Sequence, residues 1–403
     1  MLTGPAGSSS VIEHCRRIAR FSDEAQGTTR TFLSPAMREC LAYFQVWAER
    51  IGMVDIRSDA AGNFRARMPG SGAKKLVIGS HLDSVPNAGA FDGVLGVAMG
   101  MVIAESCGGA PACGLEIVGF SEEEGVRFHR PFIGSMAFVN GLNDDVLSLV
   151  DDAGISVAQA IQGFGLNLEQ VSEPQMDRAD AYLEFHIEQG PVLESLGVPL
   201  GVVDAIAGQT RAKVEFIGQA NHAGTTPMNL RHDALCAAAE WTLFVERTAQ
   251  QTPGLVATVG SFKVAPDAVN IVPGRALLSL DVRHSQDGIR KTAFDAVIRE
   301  GGEMAARRSV QFQWTVRVDQ MAVPMDAEVT SLIEESVLST GAKVHRMTSG
   351  AGHDAMITAK HMPSGMIFLR SPSGISHHPD ESVLAEDVEL ALRAGRAFVD
   401  NFK

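Results

Sequence analysis

The sequence is short of three things: long apolar runs, positive charge and cysteine. Its longest apolar run, residues 93–104, has twelve residues and is glycine-rich, whereas a membrane-spanning helix needs about 20. The 34 basic and 48 acidic residues give a net charge of −14, which argues against binding to nucleic acids or anionic membranes. Five scattered cysteines and a start without an apolar signal segment favour reduced thiols in the cytoplasm. We therefore expect a cytoplasmic protein whose partners are neither nucleic acid nor membrane.

The sequence does have an ordinary globular composition. Of its 403 residues, 45% are hydrophobic and 20% are charged, which excludes a disordered or fibrous protein. A chain of this length suffices for two or three domains and for a large core that needs no disulfides.

Apolar, β-rich runs alternate with helical patterns towards both ends of the chain. Residues 75–79, 115–120, 182–187 and 365–370 are typical of buried strands, and residues 93–105 and 384–398 of helices. This alternation predicts an α/β protein with a mostly parallel sheet.

The middle of the chain has a different pattern. From residue 210 to residue 318 the predicted order is β-α-β-β-α-β, which is typical of a ferredoxin-like domain. The simplest explanation is a small domain inserted into an exposed loop of a larger one. We place the larger domain at residues 1–207 and 322–403, and the inserted domain at residues 208–321.

Histidines and carboxylates follow four predicted strands at their carboxyl ends, where open α/β sheets bind ligands. They are His81, Asp83 and Asp92 after the first strand, Glu122, Glu123 and Glu124 after the second, His186 in the third, and His377 after the fourth. Singly, each also fits a structural histidine, a solvated glutamate run or a turn. Together they suit Zn²⁺, Mn²⁺ or Co²⁺, and they suffice for two ions that share one carboxylate.

Further candidates lie in turn-rich segments and near the end of one strand. They are His222, Asn270, Arg283, Gly352 and His353. Arg283 suits a clamp for a carboxylate, with an ordinary surface ion pair as the alternative. His222 fits an inert loop and Gly352–His353 a plain turn, so the residues alone leave both possibilities open.

Eight strings resemble, in order, the motifs of one family. They are GSHLDSVPNAGAFDGVLGV, SEEEGVRF, FHIEQGPVLE, NHAGTTPMNLRHDA, VNIVPG, DVRH, SGAGHDA and GISHHP. They resemble the dinuclear-metal amidohydrolases that include N-carbamoyl-L-amino acid hydrolases, β-ureidopropionases and allantoate amidohydrolases. This is the ureido branch of the metallopeptidase superfamily that also contains aminoacylases and carboxypeptidases. The eleven-residue interval from His81 to Asp92 also resembles this branch.

The resemblance implies two divalent ions, with Zn²⁺ favoured over Mn²⁺ and Co²⁺. One ion would be held by His81 and His186, the other by Glu124 and His377, and Asp92 would bridge them.

The resemblance also implies roles for the remaining candidates. Asp83 would support His81, Glu123 would act as the general base, and His222 would reach the active site from the inserted domain, often across a dimer. The implied substrate-binding residues are Gln189, Asn270, Arg283, Gly352 and His353.

We therefore expect a homodimeric, metal-dependent amidohydrolase with a metallopeptidase-like catalytic domain and an inserted lid and dimerisation domain. Its substrate would be a small ureido acid, either an N-carbamoyl amino acid or allantoate, and its co-products would be ammonia and CO₂. The alternatives are an aminoacylase or dipeptidase of the same superfamily, or a catalytically silent binding protein. A silent protein would be expected to lack Glu123 or a ligand, and the sequence retains them all.

Overall fold

The computed structural model describes residues 7–109 and 111–403, and the chain divides into two compact units. The larger unit comprises the residues up to Asp204 together with Met325–Lys403, and the second unit is Ala205–Pro324. These boundaries lie within three residues of the segment 208–321 expected to be inserted. The function of that segment as a lid stays a prediction.

The first stretch of the chain contains seven helices and six strands among its described residues. They are α1 (Ser8–Ile18), α2 (Pro35–Arg50), β1 (Val54–Ser58), β2 (Phe64–Met68), β3 (Lys75–His81), α3 (Val94–Ser106), β4 (Gly114–Phe120), α4 (Ile133–Asn140), α5 (Asp144–Leu147), α6 (Val157–Phe164), β5 (Ala181–Ile187), α7 (Val192–Leu196) and β6 (Leu200–Ile206).

The second unit continues with β7 (Gly208–Ile217), β8 (Asn221–His222), α8 (Ala234–Gln251), β9 (Val256–Thr258), β10 (Phe262–Ala265), β11 (Ile271–Val272), β12 (Arg275–His284), α9 (Asp287–Arg307), β13 (Gln311–Gln320) and β14 (Val323–Pro324). The chain then completes the larger unit with α10 (Ala327–Ser339), β15 (Arg346–Ser349), α11 (Ala355–Thr358), β16 (Ser364–Leu369) and α12 (Ala385–Asn401).

The larger unit is built on one mixed sheet with the strand order β1-β2-β4-β3-β5-β16-β6. The four central strands β4, β3, β5 and β16 are parallel to their neighbours within this group, whereas β2 and β6 join it antiparallel. The prediction of an α/β protein with a mainly parallel central sheet is confirmed. Parallel neighbours bring the carboxyl ends of four strands to one edge.

Helix α3 packs closely on this sheet. Residues 94–104 are all buried, as expected for a helix that is apolar on every side. At Gly96 a Cβ atom would lie 2.2 Å from the carbonyl oxygen of Phe185, so only glycine permits this approach to β5. The close packing fixes the start of α3, which follows directly after Asp92 and Gly93 in the chain.

The second unit has its own antiparallel sheet in the order β10-β12-β7-β13, covered by a core that includes residues of α8 and α9. The predicted strand at 255–264 is instead two strands, β9 and β10, which both pair with β12. A separate two-stranded ladder joins β8 to β11.

Within the described part of the chain, every helix is too short or too polar to cross a bilayer.

Candidate metal centre

The carboxyl ends of the parallel strands carry the predicted ligands. His81 is the last residue of β3, His186 is the sixth of the seven residues of β5, and the acidic segment 122–124 begins two residues after β4. Gly93 has a positive φ of +68°, and a Cβ atom at this position would lie 2.4 Å from the imidazole Nδ1 of His81. Glycine is therefore required beside His81.

His81, His186 and Asp92 form a buried group, which we call the inner group. The Nε2 atoms of the two histidines lie 3.3 Å apart. Asp92 Oδ1 lies 3.6 Å from the Nε2 atom of His81 and 3.2 Å from that of His186. The Nδ1 atom of His81 lies 3.0 Å from the carbonyl oxygen of Asp83, and that of His186 lies 2.9 Å from the carbonyl oxygen of Ile187. A proton on each Nδ1 then leaves each Nε2 lone pair for a metal ion.

The outer group consists of Asp92, Glu124 and His377. Asp92 takes part in it through its second carboxylate oxygen, Oδ2. His377 Nε2 lies 3.3 Å from Asp92 Oδ2 and 3.4 Å from Glu124 Oε1. Within each of the two groups, the candidate ligand atoms lie within 4.8 Å of one another. The side chain of His377 is 48% exposed, whereas His186 in the inner group is 1% exposed, so the outer group is the more accessible of the two.

Asp92 is the residue that the two groups share. Burial opposes its charged form, but His186, His377 and His81 together hold its pKa well below the usual value. Its Oδ1 atom is buried and accepts no hydrogen bond in the structure, although the Nε2 atoms of two imidazole rings face it. A charged oxygen beside imidazole nitrogens is a donor set for a divalent cation, so these residues fit a pair of such ions.

Asp83 joins the end of β3 to the acidic segment. Its carboxylate oxygens accept the backbone N–H groups of Glu123 (2.9 Å) and Glu124 (3.0 Å), while its carbonyl oxygen faces His81. Its Oδ1 atom also lies 3.5 Å from His81 Nδ1. Asp83 therefore holds His81 and both glutamates in one arrangement.

Glu123 lies next to both groups. His81, Glu123 and Glu124 bring candidate ligand atoms within 4.8 Å of one another. Burial raises the pKa of Glu123 well above its usual value, against the opposing effect of His81, and burial raises the pKa of Glu124 to about 7. Across residues 7–109 and 111–403, neither glutamate forms an ion pair with lysine or arginine. A divalent cation would therefore favour their charged forms.

Three of the predicted substrate-binding residues lie in the larger unit. Gln189 contacts the shared carboxylate directly, because its Nε2 donates to Asp92 Oδ2 at 2.9 Å. The His353 ring meets the His186 ring edge-on at 4.5 Å, and burial lowers its pKa well below the usual value. Gly352 precedes it, and a Cβ atom there would lie 2.9 Å from a ring carbon of Phe132. A role in substrate binding stays a prediction for all three.

The other predicted residues lie in the second unit. His222 is exposed on β8, and its Nδ1 accepts the backbone N–H of Gly224 at 3.0 Å, which makes Nε2 the protonated nitrogen. The carbonyl oxygen of Asn270 accepts the N–H of Ala223 at 2.9 Å, so Asn270 lies beside the His222 loop.

Arg283 forms a surface ion pair, which the sequence analysis gave as the alternative to a clamp for a substrate carboxylate. Its Nε and Nη2 atoms bind the two carboxylate oxygens of Asp281 at 3.0 and 2.9 Å, and Arg211 Nε binds the same carboxylate at 2.9 Å. Two guanidinium groups therefore contact one carboxylate.

Sequence reasoning missed several polar residues of the centre. Glu381 Oε1 accepts the backbone N–H groups of Phe91 and Asp92, and Ser376 Oγ donates to Asp92 Oδ2 at 3.0 Å. Glu184, fully buried on β5, accepts hydrogen bonds from Ser80, Tyr182 and Ala355. The signal for Glu184 was a lone acid in a buried strand, two residues before His186 and hence on the same face.

A mainly parallel sheet whose strand ends carry two histidine–carboxylate groups that share one aspartate offers a ligand set for two divalent ions. The chain belongs to peptidase family M20/M25/M40, whose model matches residues 77–401, and it is a hydrolase acting on C–N bonds. This confirms the superfamily that the motifs predicted.

Two curated relatives and one solved structure are similar to most of the chain. It is 35% identical to a "Probable allantoate deiminase" of Oryza sativa subsp. japonica, over 96% of this chain and 86% of that protein. It is 37% identical to an "N-carbamoyl-L-amino acid amidohydrolase" of Geobacillus stearothermophilus, over 90% of each. The crystal structure of a hydantoinase/carbamoylase family amidase from Burkholderia multivorans superposes with a TM-score of 0.92 at 29% identity, covering 97% of both chains.

Proposed function

We propose that this protein hydrolyses the ureido C–N bond of a small carboxylic acid, either an N-carbamoyl amino acid or allantoate. The observation that carries the proposal is Asp92, whose two oxygens face two separate ligand groups with Glu123 beside them. The names of the relatives from Oryza sativa and Geobacillus stearothermophilus support the ureido class of substrate.

Two divalent ions would occupy the inner and outer groups. His81 and His186 would bind one ion, Glu124 and His377 the other, and Asp92 both. When bound, such ions polarise a carbonyl group and lower the pKa of a water molecule. Zn²⁺ suits the histidine-rich donor set best, and Mn²⁺ and Co²⁺ are compatible with it.

Glu123 is the proposed general base. Its carboxylate would accept a proton from the attacking water and deliver it to the departing nitrogen, as general acid–base catalysis requires. A carboxyl group whose pKa is raised by burial is well suited to hold that proton between the two steps. Asp83 would keep Glu123 in place through the backbone N–H bond of 2.9 Å.

The substrate would be recognised through its carboxylate and its carbonyl oxygen. Arg283, oriented by Asp281, would bind the carboxylate together with Asn270 and Gln189. His222, whose Nε2 carries the proton, would donate to the oxygen that becomes negative during hydrolysis. These assignments follow the motifs that carry the family resemblance.

We also propose a homodimer that forms through the second unit. Strand β13 lies at one end of the sheet order of that unit, and its Trp314 and Val316 are 46% and 37% exposed. Exposed apolar side chains on an edge strand favour pairing with another chain. Two-fold dimers are also the commonest oligomers of soluble proteins.

The proposal is tested by a turnover panel on chelated enzyme to which Zn²⁺, Mn²⁺ or Co²⁺ is returned. The panel contains allantoate, N-carbamoyl-β-alanine, N-carbamoyl-L-amino acids, an N-acetyl amino acid and a dipeptide, and ammonia and amine release are measured. We expect ammonia from one of the ureido acids only. Turnover restricted to the N-acetyl compound or the dipeptide would instead identify an aminoacylase or dipeptidase, and full turnover of the chelated enzyme would exclude the metal requirement.

Glu123→Gln should bind both ions and lose about 10² to 10⁴-fold in kcat, because an amide cannot accept the proton. The matched control is Glu173→Gln, an identical change at an exposed glutamate, which should leave kcat unaltered.

A further inference from the structure

The larger unit contains a second cleft built from residues outside the metal centre. Its volume is about 530 Å³, and helices α1 and α2 contribute most of its lining. We call it the α1–α2 cleft. The lining residues that matter here are His14, Arg17, Glu39, Tyr43, Trp47 and Arg50.

One wall of the α1–α2 cleft is aromatic. The His14 and Trp47 rings stack with centroids 3.5 Å apart and an interplanar angle of 6°. Tyr43 adds a third ring, since its hydroxyl group lies 2.6 Å from His14 Nδ1. His14 and Trp47 are buried, whereas Tyr43 is partly exposed and can contact a flat apolar group on a ligand.

Two buried nitrogen atoms of this wall have no hydrogen-bond partner. They are His14 Nε2 and Trp47 Nε1, on side chains that are 1% and 2% exposed. Burial, with Arg50 and Arg17 nearby, lowers the pKa of His14 to about 4, so the ring is neutral near pH 7. Trp47 Nε1 is a donor, and His14 Nε2 is also a donor in the tautomer whose Nδ1 accepts the Tyr43 hydroxyl group. Buried donors without acceptors are unfavourable.

Positive charge converges on the same rings. The positive charges of Arg17 and Arg50 both act to lower the pKa of His14 and that of Tyr43. The Arg17 guanidinium lies 5.4 Å from the centre of the Tyr43 ring. Within the described part of the chain, no carboxylate forms an ion pair with either guanidinium. Glu39 also lines the cleft, so its charged lining residues are two cations and one anion.

We propose that the α1–α2 cleft is a binding site for a small aromatic or heteroaromatic carboxylate. Arg17 and Arg50 would bind the carboxylate group, and the flat ring would lie against Tyr43, the partly exposed ring of the wall. Charge-assisted hydrogen bonds to guanidinium groups and ring stacking are the two interactions that such a ligand combines. The site is distinct from the metal centre and does not depend on the proposed function.

The test uses benzoate as the probe and fluorine NMR of the full-length protein labelled with 5-fluorotryptophan. The chain has three tryptophans, Trp47, Trp241 and Trp314, and the last two lie in the second unit. Titration with benzoate should shift the Trp47 resonance, assigned with Trp47→Phe, and leave the other two in place. Benzoate bound only at the metal centre would not produce this pattern.

Arg17→Gln and Arg50→Gln should each weaken the response about tenfold, because each removes one charged partner of the carboxylate. The matched control is Arg16→Gln, an exposed arginine next to Arg17 on α1 that does not line the cleft, and it should bind like the wild type. The unchanged resonances of the second unit and the far-ultraviolet circular dichroism spectrum check that each variant is folded.

Three results would overturn the proposal. The first is a Trp47 resonance that benzoate does not move. The second is unchanged affinity in both arginine variants, and the third is a shift with inorganic phosphate or benzyl alcohol as large as that with benzoate. Phosphate lacks the ring and benzyl alcohol lacks the charge, so the two compounds separate the two proposed interactions.

Discussion

Replacement of Glu381 by alanine should damage the metal centre without removing a single ligand. Glu381 Oε1 accepts the backbone N–H groups of Phe91 (2.8 Å) and Asp92 (2.9 Å), and the residue is 5% exposed. A Cβ atom at Gly89 would lie 2.4 Å from the Cβ of Glu381, which shows how closely the two segments approach. Glu381 thus ties the segment that carries Asp92 to the segment that carries His377.

The magnitude follows from the two donors that the substitution leaves unpaired. A buried donor without an acceptor costs about 1–3 kcal/mol, so Glu381→Ala should lower the free energy of unfolding of the metal-free protein by about 2–6 kcal/mol. Water that enters the space left by the Glu381 side chain and accepts these N–H groups would bring the loss in unfolding free energy to the lower end of this range. Because Asp92 loses its backbone anchor, affinity for divalent ions should fall by about 10- to 100-fold, as for other residues that orient a ligand from behind.

The assay combines urea unfolding of the metal-free protein with Zn²⁺ titration against a chromophoric chelator. Glu381→Gln keeps an acceptor oxygen and should recover much of both losses. Asp380→Ala removes an adjacent acid whose side chain is 78% exposed, and it should change neither quantity. The reasoning is refuted if Glu381→Ala unfolds within about 0.5 kcal/mol of the wild type and binds Zn²⁺ equally well.

Three further predictions concern the ligands, the substrate and the assembly. Glu124→Gln should lower metal occupancy, measured by elemental analysis of dialysed protein, and full occupancy would remove Glu124 from the ligand set. Arg283→Lys should raise KM for ureido acids about tenfold, because a point charge replaces a two-pronged donor; an unchanged KM across the panel would mean that the carboxylate is bound elsewhere. Mixing inactive Glu123→Gln chains with inactive His222→Ala chains should restore activity in the heterodimer if His222 serves the partner's site, since one site then carries both changes and the other carries none. Verified heterodimers without activity would contradict this sharing.

Much of the fold could be predicted from the sequence because its signals are local. Short apolar runs bounded by glycine predicted β3 and β16, and the all-apolar run after Gly93 predicted α3. The strand prediction at 255–264 was wrong in detail, since the pairing with β12 is interrupted at residues 259–261 and two strands result. Local patterns predict that a segment is extended, but the partner strand decides where pairing stops.

The family of the chain and the chemical character of the candidate ligands were likewise determined by sequence. His81 is the last residue of β3 and His186 the last but one of β5, and parallel strands bring their carboxyl ends to one edge whatever the remaining contacts are. The roles of individual residues as ligands stay predictions, although the structure brings all five together.

Only the tertiary structure decided how these side chains face one another. In the folded chain the two carboxylate oxygens of Asp92 face different histidines, and the Arg283 guanidinium group binds Asp281. Glu381, 289 residues away in the sequence, accepts the backbone N–H of Asp92. The contacts of Asp92 have no local signal, because they depend on distances of a few ångströms between segments that are far apart in the chain. Arg283 and Asp281 are only two residues apart, but the sequence left open whether this arginine forms a surface ion pair. The sequence by itself determined which groups reach the edge of the sheet, and the packing of the segments around that edge decided which atoms meet.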